Sequence, residues 1–248
     1  MQLNKTISLF CLALACLAFG KPQNAEAQCS AKVDLGLAYV HLDNLLSGRT
    51  IHSADLAAIR ADVNVRLFKG LIIKPTVLYG ASAPFKVDSE DSLFAATIAV
   101  GHCIPFCNDK LILQPNVGWT YTRMKTVFNS STTQFIPPIG PVEVNFSGVK
   151  QSFRSNGPAV GLEVYYSFTP CFRTCVAFQY IWSKTNSELQ GQFSDSSHTQ
   201  GPSYSAMLEY DINEWWSVNI AGAYNVSLTK EKHGLRAAGA KVGLARWF

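Results

Sequence analysis

Residues 59–67 read IRADVNVRL. Side chains of an extended chain point alternately to opposite faces. Ile59, Ala61, Val63, Val65 and Leu67 therefore share one face, and Arg60, Asp62, Asn64 and Arg66 the other. Such a segment is a strand lying between an apolar and an ionic environment. The same period recurs in Val33, Leu35, Leu37 and Tyr39 against Lys32, Asp34, Gly36 and Ala38. It returns in Leu113, Pro115, Val117, Trp119 and Tyr121, and in Val160, Leu162, Val164, Tyr166 and Phe168, which face away from Gly161, Glu163, Tyr165 and Ser167. No helical stripe of comparable length follows residue 28, so the chain is read as all-β.

Composition agrees with this reading. Of 248 residues, 48% are hydrophobic and only 15% charged, well below the roughly 25% typical of soluble domains. Disorder is excluded over most of the length. A net charge of +4 without a basic run excludes a nucleic-acid partner. Residues 1–27 read as a signal peptide: Lys5 is the basic start, Ile7 to Phe19 the apolar segment, and Ala25-Glu26-Ala27 the cleavage site. A lipoprotein reading at Cys16 is the alternative. The apolar segment is about 13 residues, short of the ~20 that span a bilayer as a helix. The mature chain, 28–248, is then exported to a compartment that permits oxidised cysteines.

About ten strands follow, at 31–42, 54–68, 71–80, 92–104, 110–127, 157–168, 174–184, 202–212, 215–228 and 237–248. Short connections (Lys69-Gly70, Pro105–Asp109, Thr169–Arg173, Asn213-Glu214) alternate with long polar ones at 43–53, 81–91, 128–156, 185–201 and 229–236. This alternation predicts a closed antiparallel transmembrane β-barrel of the bacterial outer membrane, with short periplasmic turns and long external loops. The apolar face also carries aromatics at two levels. Tyr39, Tyr79, Trp119, Tyr121, Tyr180, Trp182, Tyr204 and Tyr224 lie toward the long loops; Phe68, Phe168, Phe172, Trp216 and Phe248 lie toward the short turns. At ~3.3 Å per residue and a tilt of ~40°, Trp216 and Tyr224 are about 20 Å apart along the barrel axis, close to the height of an outer-membrane apolar band. In the loop 128–156, Pro-Pro-Ile-Gly-Pro followed by Val142, Val144 and Phe146 suggests a protruding hairpin.

The last strand, 237–248, alternates through Ala240, Val242 and Leu244 and ends in Phe248. It resembles the assembly signal of outer-membrane barrels, with Arg246 departing from the pattern, and this implies the outer-membrane assembly machinery as a partner beside outer-membrane lipid. The cysteine-bearing hairpin YYSFTPCFRTCVAFQYIW (165–182) and the hairpin EYDINEWWSVNIAGAYNV (209–226) make the chain similar to the major-outer-membrane-protein-like, pore-forming family of Legionella and chlamydia-related bacteria. That resemblance implies a pore and an envelope cross-linked by disulfides to other envelope proteins.

The mature cysteines are Cys29, Cys103, Cys107, Cys171 and Cys175, all toward the short turns. Cys103 and Cys107, and Cys171 and Cys175, are read as bracketing hairpin tips, where opposed Cα atoms approach the ~5.5 Å of a disulfide. A metal site and free thiols are the other readings. Cys29 is left over, which points to an intermolecular bridge.

With the apolar face toward lipid, the polar face lines the lumen: Lys32, Asp34, Arg60, Asp62, Asn64, Arg66, Lys74, Glu163, Glu209 and Lys241. Both signs are present, so these charges either pair in a narrow plugged lumen or line a hydrophilic path. Barrels of ~8 strands are filled by side chains, and open channels typically have ~16. The leading expectation is a porin-like barrel for passive passage of small hydrophilic solutes, or for structural support of the envelope. The alternative is a closed barrel presenting its loops for adhesion or recognition. A soluble lipocalin-like barrel would reverse the polarity of the two faces. His41, Asp43, His52 and Asp55 fall near the external rim, where some ten-stranded barrels carry protease residues, but their spacing matches no catalytic motif. No enzymatic role, cofactor or metal is expected.

Overall fold

The computed structural model describes residues 30–248 except 68–69, 83–88, 130, 137–139, 146–147 and 191–192. The signal-peptide reading and Cys29 lie outside the described residues. The strands are β1 (Ser30–Leu46), β2 (Arg49–Arg66), β3 (Leu71–Ser82), β4 (Ser89–His102), β5 (Ile104–Phe106), β6 (Leu111–Phe128), β7 (Ser131–Ile136), β8 (Gly140–Asn145), β9 (Val149–Ser167), β10 (Phe172–Leu189), β11 (Phe193–Asp211), β12 (Trp216–Leu228) and β13 (Gly234–Trp247). Ten of them are long and form one antiparallel sheet in the order β4-β3-β2-β1-β13-β12-β11-β10-β9-β6, which β4 and β6 close by pairing with each other. Closure leaves the wall without a free edge. The short β5 pairs with the foot of β6, Ile104 opposite Leu113. The predicted hairpin in 128–156 forms as β7 against β8, Gln134 opposite Val142.

The external connections are shorter than the sequence reading expected. The segments read as loops at 43–53 and 185–201 are mostly strand. β1 and β2 run on to a two-residue turn at Ser47-Gly48, where both φ values are positive (50° and 77°), as a type I′ hairpin requires. β10 continues to Leu189 and pairs with β11 down to Ser187 opposite Asp195 and beyond. The 185–201 segment is largely polar on both faces, which loop composition mimics; a strand with water on both sides needs no apolar face. The barrel wall is thus taller than its apolar band.

Alternation places the aliphatic groups outside. Leu37 (73% exposed), Val242 (64%) and Ile59 (61%) are among the most exposed large apolar residues, the reverse of a soluble barrel. Tyr39, Tyr79, Trp119, Trp182, Tyr204 and Tyr224 are exposed at one level, and Phe168 and Trp216 at the other, joined there by Tyr166, Tyr210 and Trp215. The charged residue that breaks the pattern of the last strand is accommodated there: the Arg246 guanidinium lies 5.5 Å from the Trp216 ring and 4.9 Å from the Phe248 ring, an arrangement that favours a cation over aromatic faces. Phe248 joins the two ends of the wall, its N–H donating to the Ala31 carbonyl at 2.8 Å.

Two interruptions of the ladder share one cause. Pro158 and Pro202 cannot donate to a neighbour, and each follows a glycine. A Cβ on Gly157 would sit 1.9 Å from the Trp182 carbonyl oxygen, and one on Gly201 2.1 Å from that of Val226. At both sites the neighbouring backbone approaches too closely for any other residue.

Candidate functional site: the lumen

At the short-turn end the inward positions of nearly every strand converge on one polar layer. Lys32 of β1 pairs with Glu209 of β11, three strands away around the wall. Glu209 also accepts from the Ser217 hydroxyl at 2.6 Å and pairs with Arg173 Nε at 3.3 Å. Arg173 in turn pairs with Asp211 and lies 5.0 Å from the Trp247 ring. Lys241 bridges Asp34 (2.7 Å) and Asp62 (2.9 Å). Arg60 holds Asp62 through Nε and Nη2 at 2.8–3.0 Å, and the Thr76 hydroxyl adds a bond of 2.9 Å. Lys74 pairs with Glu163 and donates to the Tyr165 hydroxyl at 3.0 Å, while Tyr165 donates to Glu163 at 2.7 Å.

This layer is a floor. Glu209 keeps 1% side-chain exposure, and Asp34 and Lys241 keep less than a tenth. Charges enclosed this deeply are stable only when paired, and each has an opposite charge or polar hydrogen within reach. The floor is not saturated, however. Asp34 Oδ1, Asn219 Oδ1 and Gln114 Oε1 are buried acceptors with no donor. Two of these oxygens converge where a Cβ on Gly243 would stand, 2.6 Å and 2.8 Å from it. The absent side chain of Gly243 is what gives them room.

At the upper face of the floor the lumen opens on one side. Arg60 and Asp62 point inward yet keep 36% and 25% side-chain exposure. Inward-facing Ala223, Ser203, Ser205 and Gln179 are likewise accessible or half-accessible. Higher up, Val40, Leu42, Ala54, Leu56, Ala58, Leu93, Met124 and Leu235 pack together from the β13–β6 side. The facing wall carries hydroxyls: Thr185 bonds Ser155 at 3.1 Å and Thr199 at 2.9 Å, and Ser227 bonds Thr199 at 2.9 Å.

All ten lumen residues expected from sequence face inward. Eight belong to the ion-pair floor, Asn64 faces the lumen beside them, and Arg66 lies exposed toward the mouth. Sequence reasoning missed Arg173, Asp211, Asn116, Gln114, Ser217 and Asn219. Arg173 was lost by assigning it to a turn. Ser217 and Asn219 alternate with Val218 and Ile220 and were legible.

The expected hairpin disulfides are a correction. Cys103, Cys107, Cys171 and Cys175 are free thiols. Each pair lies along one strand instead of across a tip: β5 separates Cys103 from Cys107, which stands in the turn itself. Four residues of extended chain cover about 13 Å, beyond the ~7 Å limit of a disulfide. Cys171 and Cys175 are separated in the same way by the start of β10. One member of each pair, Cys103 and Cys175, is buried, and the other is exposed.

The rim residues divide between two faces. On the outer wall Tyr39 donates to Asp55 at 2.5 Å, His41 Nδ1 meets Asp55 at 2.7 Å, and Asp43 receives Ser53 at 2.7 Å and Arg236 at 2.7 Å. His52 instead faces inward, 3.0 Å from Asp91, which also accepts from Thr126 (2.6 Å) and Ser89 (2.9 Å). The four residues do not converge on one site. Among the described residues no group of three or more ligands is arranged for a metal.

The model of one family, Protochlamydia outer membrane protein, matches residues 81–244. The chain belongs to this family. Its location is accordingly the bacterial outer membrane. No curated protein matches the sequence. Among solved structures, the outer membrane protease OmpT from Escherichia coli superimposes with a TM-score of 0.57 at 14% identity, covering 91% of this chain and 99% of that one. The translocator domain of autotransporter NalP from Neisseria meningitidis gives 0.48 at 8%, covering 99% and 97%. At 14% identity the likeness to the protease is one of fold alone: a family member built as a closed ten-stranded barrel.

Proposed function

We propose that this family member spans the outer membrane as a porin-like barrel of low conductance, passing small hydrophilic solutes through a lumen whose narrowest level is the ion-pair floor. The observation that supports this most is the composition of the constriction. It is closed by ion pairs between Lys32, Glu209, Arg173, Lys241, Asp34 and Asp62, with polar acceptors to spare, beneath a space that is polar and accessible on the β9–β12 side and lined by apolar side chains on the other. Water and small solutes can substitute for such contacts one at a time, which a packed apolar plug does not allow. The exposed aliphatic band between two aromatic levels is the surface that would meet lipid. Residues 1–27 serve export, and the tall hairpins point outward from the cell. A second reading, a closed barrel that presents those hairpins to partners, is favoured by the near-complete burial of Glu209. Purified protein in planar bilayers tests the choice: brief, small, steady-state openings that grow in a Glu209→Ala/Lys32→Ala variant support the pore. Silence in both, with the barrel folded, supports the presenting barrel.

A further inference from the structure

The outer wall above the aromatic level is uneven in charge. On β6, β9 and β10 the outward positions next above Trp119, Tyr121 and Trp182 are Arg123, Lys125, Arg154 and Lys184, with Lys150 higher on β9. Their outward direction follows from their neighbours, since Met124, Thr126, Ser155, Ser183 and Thr185 are buried inside. Arg123 and Arg154 stand directly opposite each other in the ladder, and Lys184 opposite Asn156, one outward position away. Like charges set directly across a sheet destabilise it, and placing them so calls for an anion.

The chain itself supplies little. None of the five cations makes an ion pair with another described residue, and Arg123 Nε is buried without an acceptor. The nearest acids in register, Glu188 opposite Ser152 and Glu90 opposite Val127, lie at the upper margin. The far wall differs: at the corresponding level Arg236 is taken up by Asp43, and His41 by Asp55. At the height where an aromatic belt gives way to lipid headgroups, the unmatched cations of the described wall strands therefore lie on one side.

We infer that this face is a phosphate-binding site for the headgroups of the lipid that surrounds the barrel in the outer leaflet. Guanidinium forks bind phosphate oxygens in pairs. Arg123 and Arg154 form the centre, with Lys125 and Lys184 above and below it. The belt residues Tyr121 and Trp182 lie against the acyl side of the same lipid. The inference rests on the proposed orientation, with the hairpins outward, and is independent of whether the lumen conducts.

The test uses the full mature protein, purified in neutral detergent and incubated with diphosphoryl lipid A or with the same lipid stripped of phosphate. Bound lipid is read by native mass spectrometry. The expected result is at least tenfold greater retention of the phosphorylated lipid, lost in the R123Q/R154Q/K184Q variant and kept in R236Q on the far wall. Heat-shifted electrophoretic mobility verifies that each variant is folded. Equal retention by the triple variant, or no preference for phosphate in the wild type, overturns the inference. Binding of inorganic pyrophosphate at the affinity shown for lipid A assigns the site to free anions and overturns the lipid as its ligand. Because channel recordings are separate from lipid retention, failure of the pore reading leaves this outcome legible.

Discussion

Removing the carboxylate of Glu209 is the most discriminating perturbation of the floor. Glu209 is the common partner of Lys32, Arg173 and Ser217, and its side chain has 1% exposure. Truncating one member of a buried charge pair costs roughly 3–5 kcal/mol, because the other charge is left enclosed and unpaired. Here the loss falls near the lower end. Arg173 keeps Asp211, and Lys32, at 11% exposure, lies 5.1 Å from the Trp247 ring. We expect Glu209→Gln to destabilise the barrel by about 3 kcal/mol, and Lys32→Met/Glu209→Gln to recover about 2 kcal/mol of that, since the double change leaves no orphan charge on Lys32. Urea unfolding in detergent, followed by tryptophan fluorescence and mobility shift, completes the double-mutant cycle. A coupling below roughly 0.5 kcal/mol would refute the reasoning. It would mean that water already separates the pair, and that the lumen is open at a level described here as closed.

Other expectations follow from single sites. Gly157→Ala should cost roughly 2–3 kcal/mol through backbone displacement, since the added carbon meets the Trp182 carbonyl at 1.9 Å; wild-type stability in the same urea titration would contradict the close approach. Single-cysteine variants should label with a charged maleimide in the folded state at Cys107 and Cys171, and only after unfolding at Cys103 and Cys175, so a reversed order would contradict the strand phase.

The fold was legible because a barrel in lipid writes its polarity twice, in IRADVNVRL and its relatives and in two aromatic levels. The phase of the strands so read followed, and with it the inward direction of the ten lumen residues. Extent was less legible than phase. Alternation of apolar and polar groups vanishes where water lies on both faces, so Asn186, Ser187 and Glu188 read as loop while forming a paired strand. The same blindness affected the turns: Arg173 and Cys175 follow Cys171 so closely that they looked like one tip, although β10 has already begun and aims both into the lumen. Cysteine spacing carried no information about which thiols meet, because four residues can fold back or stretch out. Which charges pair across the lumen was equally hidden, as Lys32 and Glu209 are brought together only by the curvature of the whole wall.

That curvature also explains why two uses of charge coexist in so sparsely charged a chain. Inside, a ten-stranded circumference is narrow enough for a lysine on β1 to reach a glutamate on β11, so opposite charges neutralise one another and the lumen constricts. Outside, side chains diverge from the wall, and on β6, β9 and β10 no carboxylate of the described residues pairs with Arg123, Arg154 or Lys184, whereas Asp43 takes up Arg236 on the far wall. Charge at the floor is thus matched by the protein, while the outward cations of β6, β9 and β10 await matching by their surroundings. On the proposed pore reading, exchanging the inner pairs for aliphatic residues of similar volume would spare folding and abolish conduction. If the outer cations were made neutral, folding and conduction would both survive, and only the affinity for phosphorylated lipid would fall. The two kinds of variant therefore separate what the lumen does from what the wall does.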